Sequence, residues 1–152
     1  MIRIAILIGA LFLTAPTEMN AHDFKEDVVV IGNTTTSPKD ISLKDLRDIF
    51  WGRKRTWENG TPIKVYVLGS ANPSTLIFYS QNLGILPSTY WSLLFKQPGN
   101  EEDIFVPTIL PTDAAIYHAV DCTPGAIGYM SSSEFHYHDS EHDLIEPVDI
   151  HL

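Results

Sequence analysis

The sequence predicts an α/β chain: a mixed, mostly parallel sheet flanked by helices. Three observations predict it. β-Branched runs of strand length alternate with segments whose apolar residues fall at helical spacing. Glycine, asparagine and proline mark the joins between them. The length of 152 residues suits one compact domain with a core of its own.

Asp27 to Ile31 is a valine-rich run bounded by Gly32-Asn33, the pattern of a buried strand. Ser42-Leu-Lys-Asp45 has capping-box spacing with Asp in place of Glu, and Leu43, Leu46, Ile49 and Phe50 then share one helical face up to Gly52. Ile63 to Leu68 is a second strand. Asn72 is an N-cap with Pro73 at the first helical position, so a second helix covers Pro73 to Asn82, burying Leu76, Ile77, Tyr79 and Leu83 and stopping at Gly84. Pro87 to Phe95 reads as a third helix carrying Tyr90, Trp91, Leu94 and Phe95, and Lys96 to Val106 as a polar surface loop. Thr112 caps a fourth helix through Val120, ended by Pro124-Gly125. Ala126 to Met130 is a strand buried on both faces, and Leu144 to Val148 a last short strand.

The N-terminus has the parts of a secretory signal. A charged start at Arg3 precedes an apolar run from Ile4 to Leu13 that is too short to span a bilayer, and Asn20-Ala21 offers a cleavage point ahead of His22. Residues 1–21 are therefore expected to be a signal peptide and residues 22–152 one exported, soluble, monomeric domain. The single cysteine, Cys122, excludes an internal disulfide.

The charge excludes nucleic acid as a partner, since the formal net charge is −9. Arg47, Arg53, Lys54 and Arg55 crowd into one helix end and turn, and no Lys or Arg follows Lys96. Long-range attraction works against an anionic ligand. An anion needs that basic turn, or backbone N–H groups, to be held.

Asp48-Ile-Phe-Trp-Gly-Arg-Lys-Arg-Thr-Trp-Glu-Asn-Gly60, answered downstream by Gly125-Ala-Ile-Gly-Tyr129, resembles the phosphate-type periplasmic solute-binding proteins. In that family a helix ending in an Ile-Phe and glycine pattern precedes a Trp and Asp-Gly turn, and a late Gly-Ala-Ile-Gly-Tyr strand returns toward the hinge. The resemblance runs from about Val28 to Tyr129. It implies a single lobe of a type II periplasmic-binding-protein-like fold, corresponding to the second lobe of proteins about twice as long.

The candidate ligand segment is Leu68-Gly-Ser-Ala-Asn-Pro-Ser-Thr-Leu-Ile-Phe78, between a strand and a helix. A first helical turn offers N–H groups and the positive end of the dipole to an oxyanion. Gly69, Ser70, Ser74 and Thr75 are the expected ligand residues there. Family members carry a Ser-Gly-Thr turn preceded by an arginine at this place; here Val67 and Leu68 precede it and the arginine is missing. A second run of hydroxyls, Thr34 to Ser37, follows the first strand, and Thr35 and Thr36 are candidates in it. Trp51 and Trp57 read as packing residues, and Gly125 and Gly128 as close-packing positions.

His136, His138, His142 and His151 with Asp139, Glu141 and Asp143 could hold zinc or copper, with His136 and His138 on one side of a strand, although no strict ligand motif is present. His118 and Cys122 lie four apart on the fourth helix. No nucleophile elbow, Walker loop or His-Glu-x-x-His pattern occurs, so neither catalysis nor a cofactor is expected. The expected function is a periplasmic solute-binding module resembling the substrate-binding component of a phosphate-type ABC transporter. Its ligand is phosphate or a similar small oxyanion, and its partners are transporter membrane components or another envelope protein. The alternative is a ligand-free scaffold acting as an interaction module in the envelope.

Overall fold

The computed structural model describes residues 27–98, 104–138 and 144–152. The expected signal peptide, and His142, Asp139, Glu141 and Asp143 of the His and acid cluster near the C-terminus, lie outside the described residues. Among the described residues no helix is long and apolar enough to cross a membrane.

The elements run β1 (Val28–Asn33), β2 (Asp40–Ser42), α1 (Leu43–Phe50), β3 (Lys64–Leu68) and α2 (Pro73–Phe78), which continues as a π-helical turn (Tyr79–Leu83). Then come α3 (Pro87–Leu94), β4 (Thr108–Leu110), α4 (Asp113–Asp121), β5 (Ala126–Ser131), α5 (Ser132–His138), β6 (Ile145–Pro147) and β7 (Asp149–His151). The main sheet has the order β4-β3-β5-β1-β6. β3 pairs in parallel with both β4 and β5, and β1 runs antiparallel to its neighbours β5 and β6. Four of its five strands therefore point the same way, with β1 reversed among them. β2 and β7 form a separate parallel pair.

The two faces of β5 show how the layers divide. At Gly128 an added Cβ would lie 3.0 Å from the Tyr66 carbonyl oxygen and 3.1 Å from Ile116 of α4, so α4 packs here with no room for a side chain. Tyr129 points to the opposite face, where its ring stacks on Phe78 of α2 at 4.1 Å and 6°. Phe50, Tyr79 and Tyr90 complete that aromatic core, all fully buried. The Tyr90 hydroxyl donates to the Phe50 carbonyl. The Tyr79 hydroxyl is buried with no partner among the described residues. A buried unpaired hydroxyl costs roughly 1–3 kcal/mol. Tyr79→Phe is therefore expected to leave stability unchanged or raise it by about 1 kcal/mol, read as a higher melting temperature; a clear loss would mean that this hydroxyl has a partner.

Several local expectations hold. The Ser42 hydroxyl accepts the Asp45 N–H at 3.0 Å, and that of Thr112 accepts the Ala115 N–H at 3.2 Å. Trp57 is 4 % exposed and its indole N–H donates to Gly125. Others are corrected. Leu76 is 52 % exposed, because α2 turns Ser74, Thr75 and Phe78 inward instead. Phe95 is 61 % exposed while Tyr90 and Leu94 are buried. β2, β4 and β7 are three-residue strands whose pairing comes from distant segments, too short to show a period of their own. His136 and His138 lie on α5, where a spacing of two turns side chains to different sides rather than to one side of a strand.

Candidate functional site

Parallel β3, β4 and β5 each feed directly into a helix. The N-termini of α2, α4 and α5 therefore gather at one end of the sheet. Helix starts present unpaired N–H groups and partial positive charge, so this end favours negative groups. Open α/β sheets place ligands at such strand ends.

Around this corner Gly69 is half-buried, and a Cβ built on it meets nothing within 4 Å. Ser70 is exposed. Ser74 is 1 % exposed, and its hydroxyl oxygen has no partner among the described residues. Thr75 is fully buried and structural: its hydroxyl donates to the Gly69 carbonyl at 2.9 Å, lies 3.3 Å from that of Leu68, and accepts the Tyr129 hydroxyl at 3.0 Å. Burial pushes the Tyr129 phenol up to about 12, against the lowering effect of its bond to Thr75.

The expectation of free amide hydrogens is corrected at two positions. The Ser74 N–H goes to the Asn72 side-chain oxygen at 2.9 Å, and the Thr75 N–H goes to the Asn72 carbonyl at 3.0 Å. Pro73 has no N–H. The cause is the Asn-Pro start itself, since Asn72 caps the helix with its own side chain.

Sequence reasoning missed Asp113. It is the first residue of α4, and one carboxylate oxygen accepts the Ser131 N–H at 2.7 Å while the other takes the Asn72 amide at 3.4 Å. Ser131 and Ser133 share a hydroxyl bond of 2.7 Å beside it. The signal was present as Thr112-Asp113, a cap followed by an acid in the first turn. Its meeting with Asn72 required the fold.

The two hydroxyl sets do not share a site. β1 runs against β3 and β5, so its carboxyl end lies at their amino ends. Thr35 and Thr36 are thus separated from Ser70 and Ser74 by about the length of β3, roughly 16 Å. They line an open cleft of about 430 Å³ with Asp40, Asp45, Lys54 and Glu58. The Thr35 hydroxyl donates to Asn33, and that of Thr36 accepts the Gly125 N–H. Lys54 bonds Asp45 at 3.1 Å. Three carboxylates against one paired lysine make this cleft a poor place for an anion.

The basic turn is likewise occupied locally. Arg53 and Lys44 both reach Asp48, at 3.3 and 2.6 Å, and the Lys44 bond is the main cause that holds the Asp48 carboxyl below its ordinary range. Arg47 donates to the Asn82 carbonyl. His118 of α4 and His138 of α5 have ring centroids 6.4 Å apart, and His138 lies 3.7 Å from Glu134. Among the described residues no group of three or more His, Cys, Asp or Glu could hold a metal ion. Cys122 is a free, exposed thiol.

No family model matches the chain, and no curated protein matches it. Solved structures do. A Clostridium perfringens protein assigned to the phosphate ABC transporter substrate-binding proteins, with bound phosphate, superposes with a TM-score of 0.57 at 22% identity, over 81% of this chain and 44% of its own. The PstS protein of Borrelia burgdorferi gives 0.57 at 16% identity, over 81% and 46%. A phosphate-binding protein of Stenotrophomonas maltophilia gives 0.53 at 19% identity, over 82% and 39%. The chain spans less than half the length of these proteins. At such identities the likeness establishes the fold alone, so the chain has the fold of part of these proteins.

Proposed function

We propose that this chain is an exported solute-binding module of the periplasm, not an enzyme, and that it binds phosphate or a similar small oxyanion at the corner where α2, α4 and α5 begin. The observation that carries this reading is the Ser74 hydroxyl, buried to 1 % exposure without a partner among the described residues, at a strand end that gathers three helix N-termini. The neighbouring structures, one of which holds phosphate, support the choice of ligand. Gly69 and Ser70 form the open rim and Ser74 the floor; Thr75 holds the floor in place through Gly69 and Tyr129. The chain spans less than half the length of its structural neighbours, and ABC transporter membrane components or another envelope protein are the partners to seek.

Titration calorimetry of the purified protein with phosphate, sulfate and tungstate tests this directly. A hydrogen bond to a charged group is worth about 1.5–3 kcal/mol, so Ser74→Ala is expected to weaken phosphate binding about tenfold or more. Stability should be unaffected, because the substitution removes a buried hydroxyl that has no partner among the described residues. Unchanged affinity in that variant would eliminate Ser74 as a ligand.

A second reading, a ligand-free scaffold that binds an envelope protein, is favoured by one observation. Asn72 engages the amides of Ser74 and Thr75, and no Lys or Arg lies in segments 68–75, 108–114 or 131–134, which form the corner. The absence of heat and of thermal shift with all three anions would decide for it.

A further inference from the structure

Asp113 occupies the corner in a manner that bears on its affinity. The carboxylate stands at the start of the nine-residue helix α4 and accepts the Ser131 N–H at 2.7 Å and the Asn72 side-chain amide at 3.4 Å. Asn72 in turn holds the N–H of Ser74, whose own buried hydroxyl has no partner among the described residues. A negative group held by N–H donors at a junction of helix N-termini is what an incoming oxyanion would itself be.

We propose that Asp113 is an internal, competing anion: its carboxylate fills part of the oxyanion seat and Asn72 latches it there, so the isolated module binds free oxyanion weakly until Asp113 is displaced. The inference rests on the oxyanion reading of this corner and adds its regulation. Like charges a few ångströms apart in a partly buried site repel strongly, so the carboxylate and a doubly charged oxyanion exclude one another. The donors are the same in both states. Ser131 N–H and the Asn72 amide pass from the carboxylate to the ligand when the Asp113 side chain turns to solvent, which its half-buried position permits. A partner polypeptide that draws Asp113 away would thereby load the module, and its departure would unload it.

Two variants of the chain test the idea. Asp113→Ala empties the position; Asp113→Asn keeps an acceptor for the Ser131 N–H while removing the charge, and so guards against loss of folding. Phosphate affinity, measured by calorimetry at fixed ionic strength, is expected to rise on the order of tenfold or more in both. In anion-free buffer Asp113→Ala should melt below the wild type, and millimolar phosphate should restore more of its melting temperature than an equal concentration of chloride. Wild-type binding that depends on Ser74 while both Asp113 variants bind no better overturns the inference and leaves the oxyanion reading standing. Absence of binding in wild type and both variants overturns the inference together with that reading. Recovery by chloride as strong as by phosphate also overturns it, because a general charge effect then accounts for the result.

Discussion

Raising the pH from 9 to 12 is expected to unfold this protein, because three buried phenols in the aromatic core resist ionisation. Tyr79, Tyr90 and Tyr129 all have their phenols pushed up, with loss of solvation as the largest cause in each; for Tyr129 the value is about 12 against an ordinary 10.0. The sign follows from proton uptake. Between the unfolded and folded values the folded state binds more protons, so stability is fully present below about pH 10 and falls as pH rises through the folded values. Tyr129 alone then costs about 2.3 kcal/mol by pH 12, and about 2.7 kcal/mol once the pH is well past its folded value, two units at 1.36 kcal/mol each. Tyr79 and Tyr90 add to the same slope. Denaturant midpoints at pH 9, 10, 11 and 12 measure it, with Tyr79→Phe expected to flatten the decline. Constant midpoints through pH 12 would show that these phenols are open to water.

Gly125→Ala is expected to destabilise by more than about 3 kcal/mol. Gly125 has φ +82, a left-handed backbone that costs a side-chain-bearing residue roughly 1–2 kcal/mol. An added Cβ would also lie 2.1 Å from the Pro62 carbonyl oxygen, and backbone cannot move aside cheaply. The position is a junction as well. Its N–H donates to the Thr36 hydroxyl, and its carbonyl accepts from the Trp57 indole at 3.1 Å and from the Lys64 N–H at 3.1 Å. Any shift that relieves the clash loosens three segments at once. Urea titration of the variant against wild type reads the loss; a difference under 1 kcal/mol would mean that the Pro62 strand entry yields more easily than its packing suggests.

That junction shows why the fold was legible. The Trp57 turn and the Gly125 to Tyr129 strand are distant in sequence, yet each carries a strong local signal: an Asn-Gly turn after tryptophan, and glycines where no Cβ fits. Helix starts were legible for the same reason. The side chains of Ser42, Asn72 and Thr112 accept backbone N–H groups two or three residues on, which sequence spacing encodes directly. The short strands β2, β4 and β7 carry no such signal, because three residues hold less than two periods of alternation and their partners are remote.

The candidate site was legible in part. Sequence placed Ser70, Ser74 and Thr75 at a strand-to-helix corner, and they are there. It had no means of knowing that α2 would turn Thr75 inward as a structural bond to Tyr129, leave the buried Ser74 hydroxyl without a partner among the described residues, and expose Leu76. The rotation of a helix is set by what it packs on, and here the stack of Phe78 on Tyr129 fixes it. The separation of Thr35 and Thr36 from that corner likewise follows from the reversal of β1 within the sheet, a matter of long-range pairing.

By itself the sequence determined the alternation of strands and helices, the caps that start the helices, the glycine joints and the excess of acidic over basic side chains. Each of these is written in residues within a few positions of one another. The tertiary structure alone decided strand order and direction, and with them which helix N-termini meet. It thereby brought Asp113 to Asn72, 41 residues away, because contacts between distant segments depend on how the sheet is assembled and not on any local pattern.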